Sequence, residues 1–221
     1  MKKVTILAFA LTVLLMAGSA MADTVTFTTT GVFGAGAGYT VTTCGGNNCI
    51  VAGNTATASA SVEFLSSGTT VGVPPNSDVT LGQFNEAETC DPAQPTVCGA
   101  SVSGVPFTLT INQSSPTSGS GTLSATLSGT WSVDSAHNPT GGGSVVFSTS
   151  SVQIGEIIYT LDTNPLTLGA AQFTNGSFGD TNHQTSIQAT ISTIPEPASM
   201  ALLGTGLVGI GGLVRRRKSL F

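Results

Sequence analysis

The chain has 221 residues, only 8% of them charged, with six Lys and Arg against eleven Asp and Glu. All six cations sit at positions 2, 3 and 215–218, so the long stretch between them has no basic side chain to neutralise phosphate. That excludes nucleic-acid binding and Arg- or Lys-based phosphate recognition there. Lys2 and Lys3 precede an apolar run over residues 4–17, and small residues then lead to Ala20-Met21-Ala22. A positive start, a short apolar stretch and an A-x-A site make a signal peptide over residues 1–22, cut between Ala22 and Asp23. A permanent anchor would need a longer run.

From residue 23 onward the apolar residues alternate. Val25 and Phe27 share one face of a strand over 24–29, with threonines on both sides. A glycine-rich turn over 31–38 leads to a short strand over 39–43. Residues 56–65 place Val62 and Phe64 together, and a turn-rich connection over 66–78 contains Pro74-Pro75-Asn76. Val79, Leu81 and Gln83 alternate with Thr80, Gly82 and Phe84. Residues 100–112 include Phe107-Thr108-Leu109-Thr110-Ile111, again at period two. A turn over 113–120 precedes 122–133, which alternates through Leu123, Ala125, Leu127, Trp131 and Val133. The loop 134–143 holds Pro139 and three glycines. Residues 144–154 and 156–161 form a strand pair joined near Gly155, and 186–192 is the last strand. No internal segment has a helical stripe. Eight to ten short strands separated by Gly, Pro, Asn and Ser predict an all-β domain over 23–193: an antiparallel β-sandwich, jelly-roll-like in one variant. A low-complexity stalk is the competing class, and the regular alternation argues against it.

The C-terminus has three parts in order: Pro195-Glu196-Pro197, an uncharged apolar stretch over 198–214, and Arg215-Arg216-Arg217-Lys218. As a transmembrane helix the stretch spans about 25 Å, slightly short of a ~30 Å hydrocarbon core. The basic side chains can snorkel to make up the difference. Four clustered cations act as a stop signal on the cytoplasmic side and leave the large domain outside. Ile194 and Glu196 each precede a proline, which biases them to extended geometry. A stiff, extended peptide just outside the bilayer suits a protease cleft.

In motif, spacing and terminal position, residues 194–218 resemble the PEP-CTERM sorting signal of exported proteins in Gram-negative, often exopolysaccharide-producing, bacteria. The resemblance implies processing by an exosortase, a membrane cysteine protease-transpeptidase. It implies a transient stay in the inner membrane and delivery to the cell surface or extracellular matrix. On that resemblance Pro195, Glu196 and Pro197 are recognition residues in a substrate. The body is expected to be a structural or adhesive protein rather than an enzyme, associated with exopolysaccharide. A carbohydrate- or calcium-binding module is the alternative, and a secreted hydrolase is a third.

Cys44, Cys49, Cys90 and Cys98 all lie in the exported part, an even number that predicts disulfides. Three connectivities satisfy four cysteines. Turn residues inside each loop favour the local one, Cys44–Cys49 and Cys90–Cys98. Zinc is disfavoured by the spacings and by an oxidising compartment. Glu86, Glu88 and Asp91 cluster beside the second pair. As hard oxygen ligands they are calcium candidates, and as paired carboxylates they suit glycoside hydrolysis; a solvated acidic loop is the plainer expectation. Asp162 with Asn164, and Asp180 with Asn182, are weaker versions of the same idea. His137 and His183 fall in loops, with no serine elbow to complete a triad. Trp131 could stack on a sugar ring, although a single strand tryptophan is more often core. No cofactor motif is present beyond Gly34-Ala35-Gly36-Ala37-Gly38, which lacks a following helix and reads as a turn.

Overall fold

In the computed structural model the described residues are 23–54, 58–73, 77–90, 99–133, 139–169, 172–173, 184–194, 204–207 and 209. Alternation at period two builds the strands. Along β7 (Gly99–Ser115), Val105, Phe107, Leu109 and Ile111 are buried, whereas Pro106 and Asn112 face solvent. The other strands are β1 (Asp23–Phe33), β2 (Tyr39–Cys44), β3 (Asn47–Asn54), β4 (Ala58–Ser66), β5 (Gly68–Val73), β6 (Ser77–Cys90), β8 (Gly119–Val133), β9 (Pro139–Phe147), β10 (Ser151–Ile154), β11 (Ile157–Leu161), β12 (Leu166–Leu168), β13 (Gln172–Phe173) and β14 (Gln184–Thr193).

They form two sheets. A six-stranded sheet runs β12-β9-β8-β7-β1-β5, and an eight-stranded one runs β10-β11-β14-β6-β4-β3-β2, with β13 paired to β6 in parallel. Every other pairing among the described strands is antiparallel. The expected all-β, antiparallel class therefore holds. The strand count is higher than the sequence suggested. The connection at 66–78 contains β5, the loop at 134–143 already contains the start of β9, and β3, β12 and β13 had no counterpart. The jelly-roll variant is not what forms. Two meanders, β2-β3-β4 and β7-β8-β9, each stay within one sheet, whereas a jelly roll is built from paired Greek keys.

The two inner faces meet in one core. Phe33 and Phe107 of the six-stranded sheet pack on Phe64 and Phe84 of the other, with ring centroids 5.0–6.3 Å apart. Gly31 and Gly82 are glycines for this reason: a Cβ at either would collide with the Phe64 ring. At the other end Phe27 meets Tyr159 edge-on at 5.6 Å. The Tyr159 hydroxyl donates to Gln113 Oε1 at 2.8 Å, and Gln113 Nε2 donates to the Thr117 carbonyl at 2.8 Å. This bonded pair satisfies buried polar groups of both sheets at once. Trp131 is wholly buried against Gly129 and Gly143, so its ring is core and is not available to stack on a sugar.

Candidate functional site

The acidic cluster is rearranged relative to expectation. β6 continues to Cys90, so Glu86 and Glu88 are strand residues and not part of a solvated loop. A bulge near Leu81 and Gly82 resets the alternation, because Ile187 pairs with Gly82 while Gln188 pairs with Thr80. Val79 and Leu81 face inward before it, and Phe84 and Glu86 after it. Glu86 lies opposite Val62 and is 3% exposed. Its Oε1 has no partner among the described residues. Burial pushes its pKa from 4.5 up to about 8, partly opposed by a backbone hydrogen bond. Glu86 thus lies opposite Val62 between the sheets and not in the solvated loop where the calcium candidates Glu86, Glu88 and Asp91 were expected together. The Glu88 side chain and Asp91 lie outside the described residues, as do His137, His183, Asp180 and Asn182. Among the described residues no group of three His, Cys, Asp or Glu could hold a metal.

A second buried acid, Glu63, escaped the sequence reading. It is 3% exposed, yet both oxygens are used: Asn47 Nδ2 donates to Oε1 at 2.6 Å and Asn85 Nδ2 to Oε2 at 3.4 Å. Its cross-strand neighbours are Cys49 and Asn85. The Cys44–Cys49 disulfide closes the β2–β3 turn beside it, with Cα atoms 5.6 Å apart, as the local pairing predicted. Cys90 ends β6, but Cys98 lies outside the described residues, and the second pairing with it. Asp162 is also engaged. Its Oδ1 accepts from the Thr190 hydroxyl at 2.8 Å, and that hydroxyl lies 3.3 Å from Asp78 Oδ1. Asn164 spends its amide on the Phe147 backbone, accepting at 3.0 Å and donating at 2.9 Å, and so is not free to help Asp162 hold an ion.

The end of the domain is where sequence and structure meet most closely. β14 is an interior strand, flanked by β11 and β6. Its last residue, Thr193, pairs with Ile157, and the next residue, Ile194, donates its amide to the Glu156 carbonyl at 2.9 Å. Pro195 follows directly. A family model described as the PEP-CTERM protein-sorting motif matches residues 193–218. The chain carries a PEP-CTERM sorting signal. That signal marks an exported protein and implies processing by an exosortase. No curated protein and no solved structure matches the chain.

The PEP-CTERM signal thus abuts the sheet without a spacer. Pro195, Glu196, Pro197, Arg215, Arg216, Arg217 and Lys218 lie outside the described residues, as does residue 22 of the expected cleavage pair. Asp23 opens β1 opposite Val73, so a cut before it leaves the strand whole. Residues 204–207 and 209 are helical, and a Cβ added at Gly204, Gly206 or Gly209 meets nothing within 4 Å. Among the described residues no helix is long and apolar enough to cross a membrane.

One further surface stands out. Apart from Asp23, no residue of the six-stranded sheet is charged. Its outer face carries rows of hydroxyls: Thr30, Thr110 and Thr122 align across β1, β7 and β8, and Ser128, Ser144 and Thr167 across β8, β9 and β12. Thr26 and Thr70 hydroxyls meet at 3.1 Å. A shallow depression of about 770 Å³ opens among Ser101, Ser128, Thr130, Gly142 and Ser144.

Proposed function

We propose that this chain is a structural or adhesive protein of the cell surface or extracellular matrix of a Gram-negative bacterium, associated with exopolysaccharide and not an enzyme. A signal peptide over 1–22 threads it outward. A helix over 198–214 holds it in the inner membrane, with the cations at 215–218 on the cytoplasmic side, until an exosortase cuts near Pro195-Glu196-Pro197. The observation that carries this reading is the sorting-motif match, which begins at the last residue of β14. It is supported by the charge distribution, with cations only at the two ends, each beside an apolar run. The test is mass spectrometry of the mature protein together with fractionation of cells carrying Pro195→Ala, Glu196→Ala and Pro197→Ala. The expected termini are near Asp23 and near the proline motif, and the triple variant should stay in the membrane fraction. A mature protein that keeps residues 198–218 refutes the processing step.

A second reading, a carbohydrate-binding module, is favoured by the hydroxyl-lined depression on the uncharged face. Saturable binding on a glycan array, lost in Ser128→Ala/Ser144→Ala, would support it.

A further inference from the structure

An exposed sheet edge is a row of unpaired backbone donors and acceptors, and natural proteins blunt such edges with charges, prolines, bulges or short strands. Four strands end the two sheets here: β12 and β5 on one, β10 and β2 on the other. β12 has three residues and β10 has four, so both are protected by shortness. β5 runs directly into Pro74-Pro75. Among the described residues β2 has none of these devices. It is six residues long, Tyr39-Thr40-Val41-Thr42-Thr43-Cys44, with no charge and no proline, and it pairs with β3 in unbroken register from Tyr39 opposite Ala52 to Cys44 opposite Asn47. On its inner side Tyr39 and Val41 are only half-buried against the core, while Thr40 and Thr42 are exposed on the other side. One more strand beside β2 would cover the two apolar side chains and pair the free backbone.

We propose that β2 is a docking edge for a second copy of this chain, pairing antiparallel with its own counterpart about a two-fold axis. The edge is self-complementary in chemistry. It is rich in β-branched residues suited to a pleated sheet, and the acid nearest its turn, Glu63, is buried and bonded to Asn47 and Asn85, so no charge is presented at the seam. Inner side chains must face inner side chains, so the axis passes through a residue and not between two. Centring on Val41 pairs all of Tyr39 to Thr43 and sets Val41 against Val41, with Thr40 of one copy opposite Thr42 of the other. The two eight-stranded sheets then become one continuous sheet. The body between the termini carries ten acids, all eleven except Glu196, and no Lys or Arg, so two copies repel at long range. Salt screens that repulsion beyond about 8 Å at physiological strength, and dimerisation should therefore strengthen as salt is raised. This inference concerns the folded body and stands apart from the sorting reading.

The test is sedimentation equilibrium of the processed protein recovered from its host, at low and high salt, with circular dichroism and melting curves on each variant to verify the fold. A dimer favoured by high salt is expected. Thr40→Lys/Thr42→Lys places lysine opposite lysine twice and should weaken it roughly tenfold or more. Thr40→Lys/Thr42→Glu places opposite charges across the same pairs and should restore it. Thr122→Lys, on the outer face of the other sheet, should leave it unchanged. A monomer at every salt concentration, or a dimer indifferent to the double lysine variant, overturns the proposal, as does capture of a different partner at this edge by a protein that stays monomeric.

Discussion

Replacing Glu86 by glutamine should remove a loss of stability that this protein suffers as pH rises from 4.5 to about 8. The carboxyl is buried between the sheets opposite Val62, with Oε1 unpartnered among the described residues, and its pKa rises from 4.5 to about 8 on folding. Below pH 4.5 it is protonated in both states and contributes no pH dependence. Between 4.5 and about 8 the unfolded chain releases the proton and the folded chain keeps it, so stability falls as pH rises. Each pH unit in that window costs about 1.4 kcal/mol, which gives about 3 kcal/mol at pH 6.5 and about 5 kcal/mol above pH 8. Domains of this size hold ~5–15 kcal/mol in all, so the effect is large. The assay is urea unfolding of the wild type and Glu86→Gln at pH 4, 6.5 and 9. Glutamine keeps the shape but cannot ionise, and titrations elsewhere in the chain cancel in the difference. The wild type should lose about 5 kcal/mol relative to the variant from the lowest to the highest pH. Parallel curves for the two proteins refute the reasoning, because they mean that ionised Glu86 is stabilised as well in the folded state as in water.

Gly129→Ala should destabilise the domain by about 1–3 kcal/mol, because its Cβ would lie 2.6 Å from Trp131 Cη2 and 2.7 Å from Gly143 Cα; thermal unfolding measures it, and no change means that the indole has room to move. Cys44→Ala/Cys49→Ala should cost about 2 kcal/mol, the loop-closure value for so short a ring, read as a lower urea midpoint at unchanged slope. Ser128→Lys, by contrast, should cost no more than about 1 kcal/mol, since Ser128 lies at the open depression and its hydroxyl only accepts from the exposed Gly104 amide at 3.0 Å.

What the sequence made legible, and what it hid, follows from how local each signal is. Phe107-Thr108-Leu109-Thr110-Ile111 reads correctly as a strand because alternation and β-propensity agree within five residues, and the burial of Phe107, Leu109 and Ile111 matches it. The sorting signal is equally local, and its chemistry does not depend on the fold. β5 was hidden because Gly68-Thr69-Thr70-Val71-Gly72-Val73 has few apolar residues and derives its order from pairing with β1. The first half of β9, residues 139–143, reads as loop because Gly141-Gly142-Gly143 imitates one. In the sheet, the small size of Gly143 admits the Trp131 ring, a contact visible only once β8 and β9 are paired. Glu86 reads as loop because the acidic run Glu86-Ala87-Glu88-Thr89-Cys90 has no large apolar residue to extend the strand pattern, and a bulge hides its face as well. Simple alternation from Val79 and Leu81 puts Phe84 and Glu86 on the solvent side, and the extra residue at Leu81–Gly82 turns both inward. A one-residue slip reverses every side chain after it, and nothing in the local composition announces it.

The absence of a spacer before the sorting motif has a kinetic consequence. Thr193 is held in the ladder opposite Ile157, Ile194 donates to the Glu156 carbonyl, and the proposed membrane helix begins at residue 198. Four residues, 194–197, reach at most about 14 Å when fully extended. On the proposed route an exosortase meets a motif whose preceding residue, Ile194, is bonded to the β10–β11 turn, with the proposed membrane helix starting four residues later. A protease cleft needs extended chain on both sides of the scissile bond, so productive binding requires Ile194, and then Thr193, to leave their partners. Each such backbone bond is worth about 1 kcal/mol net, and releasing one or two lowers the competent fraction roughly tenfold. Inserting a six-residue Gly-Ser spacer between Ile194 and Pro195 should accordingly speed conversion of precursor to mature protein, up to that factor, in a pulse-chase experiment. The same spacer placed in the exposed loop at Ala35–Ala37 should not change the rate. Slower processing with the first spacer would mean that the folded end of β14 presents the motif to the enzyme and does not withhold it.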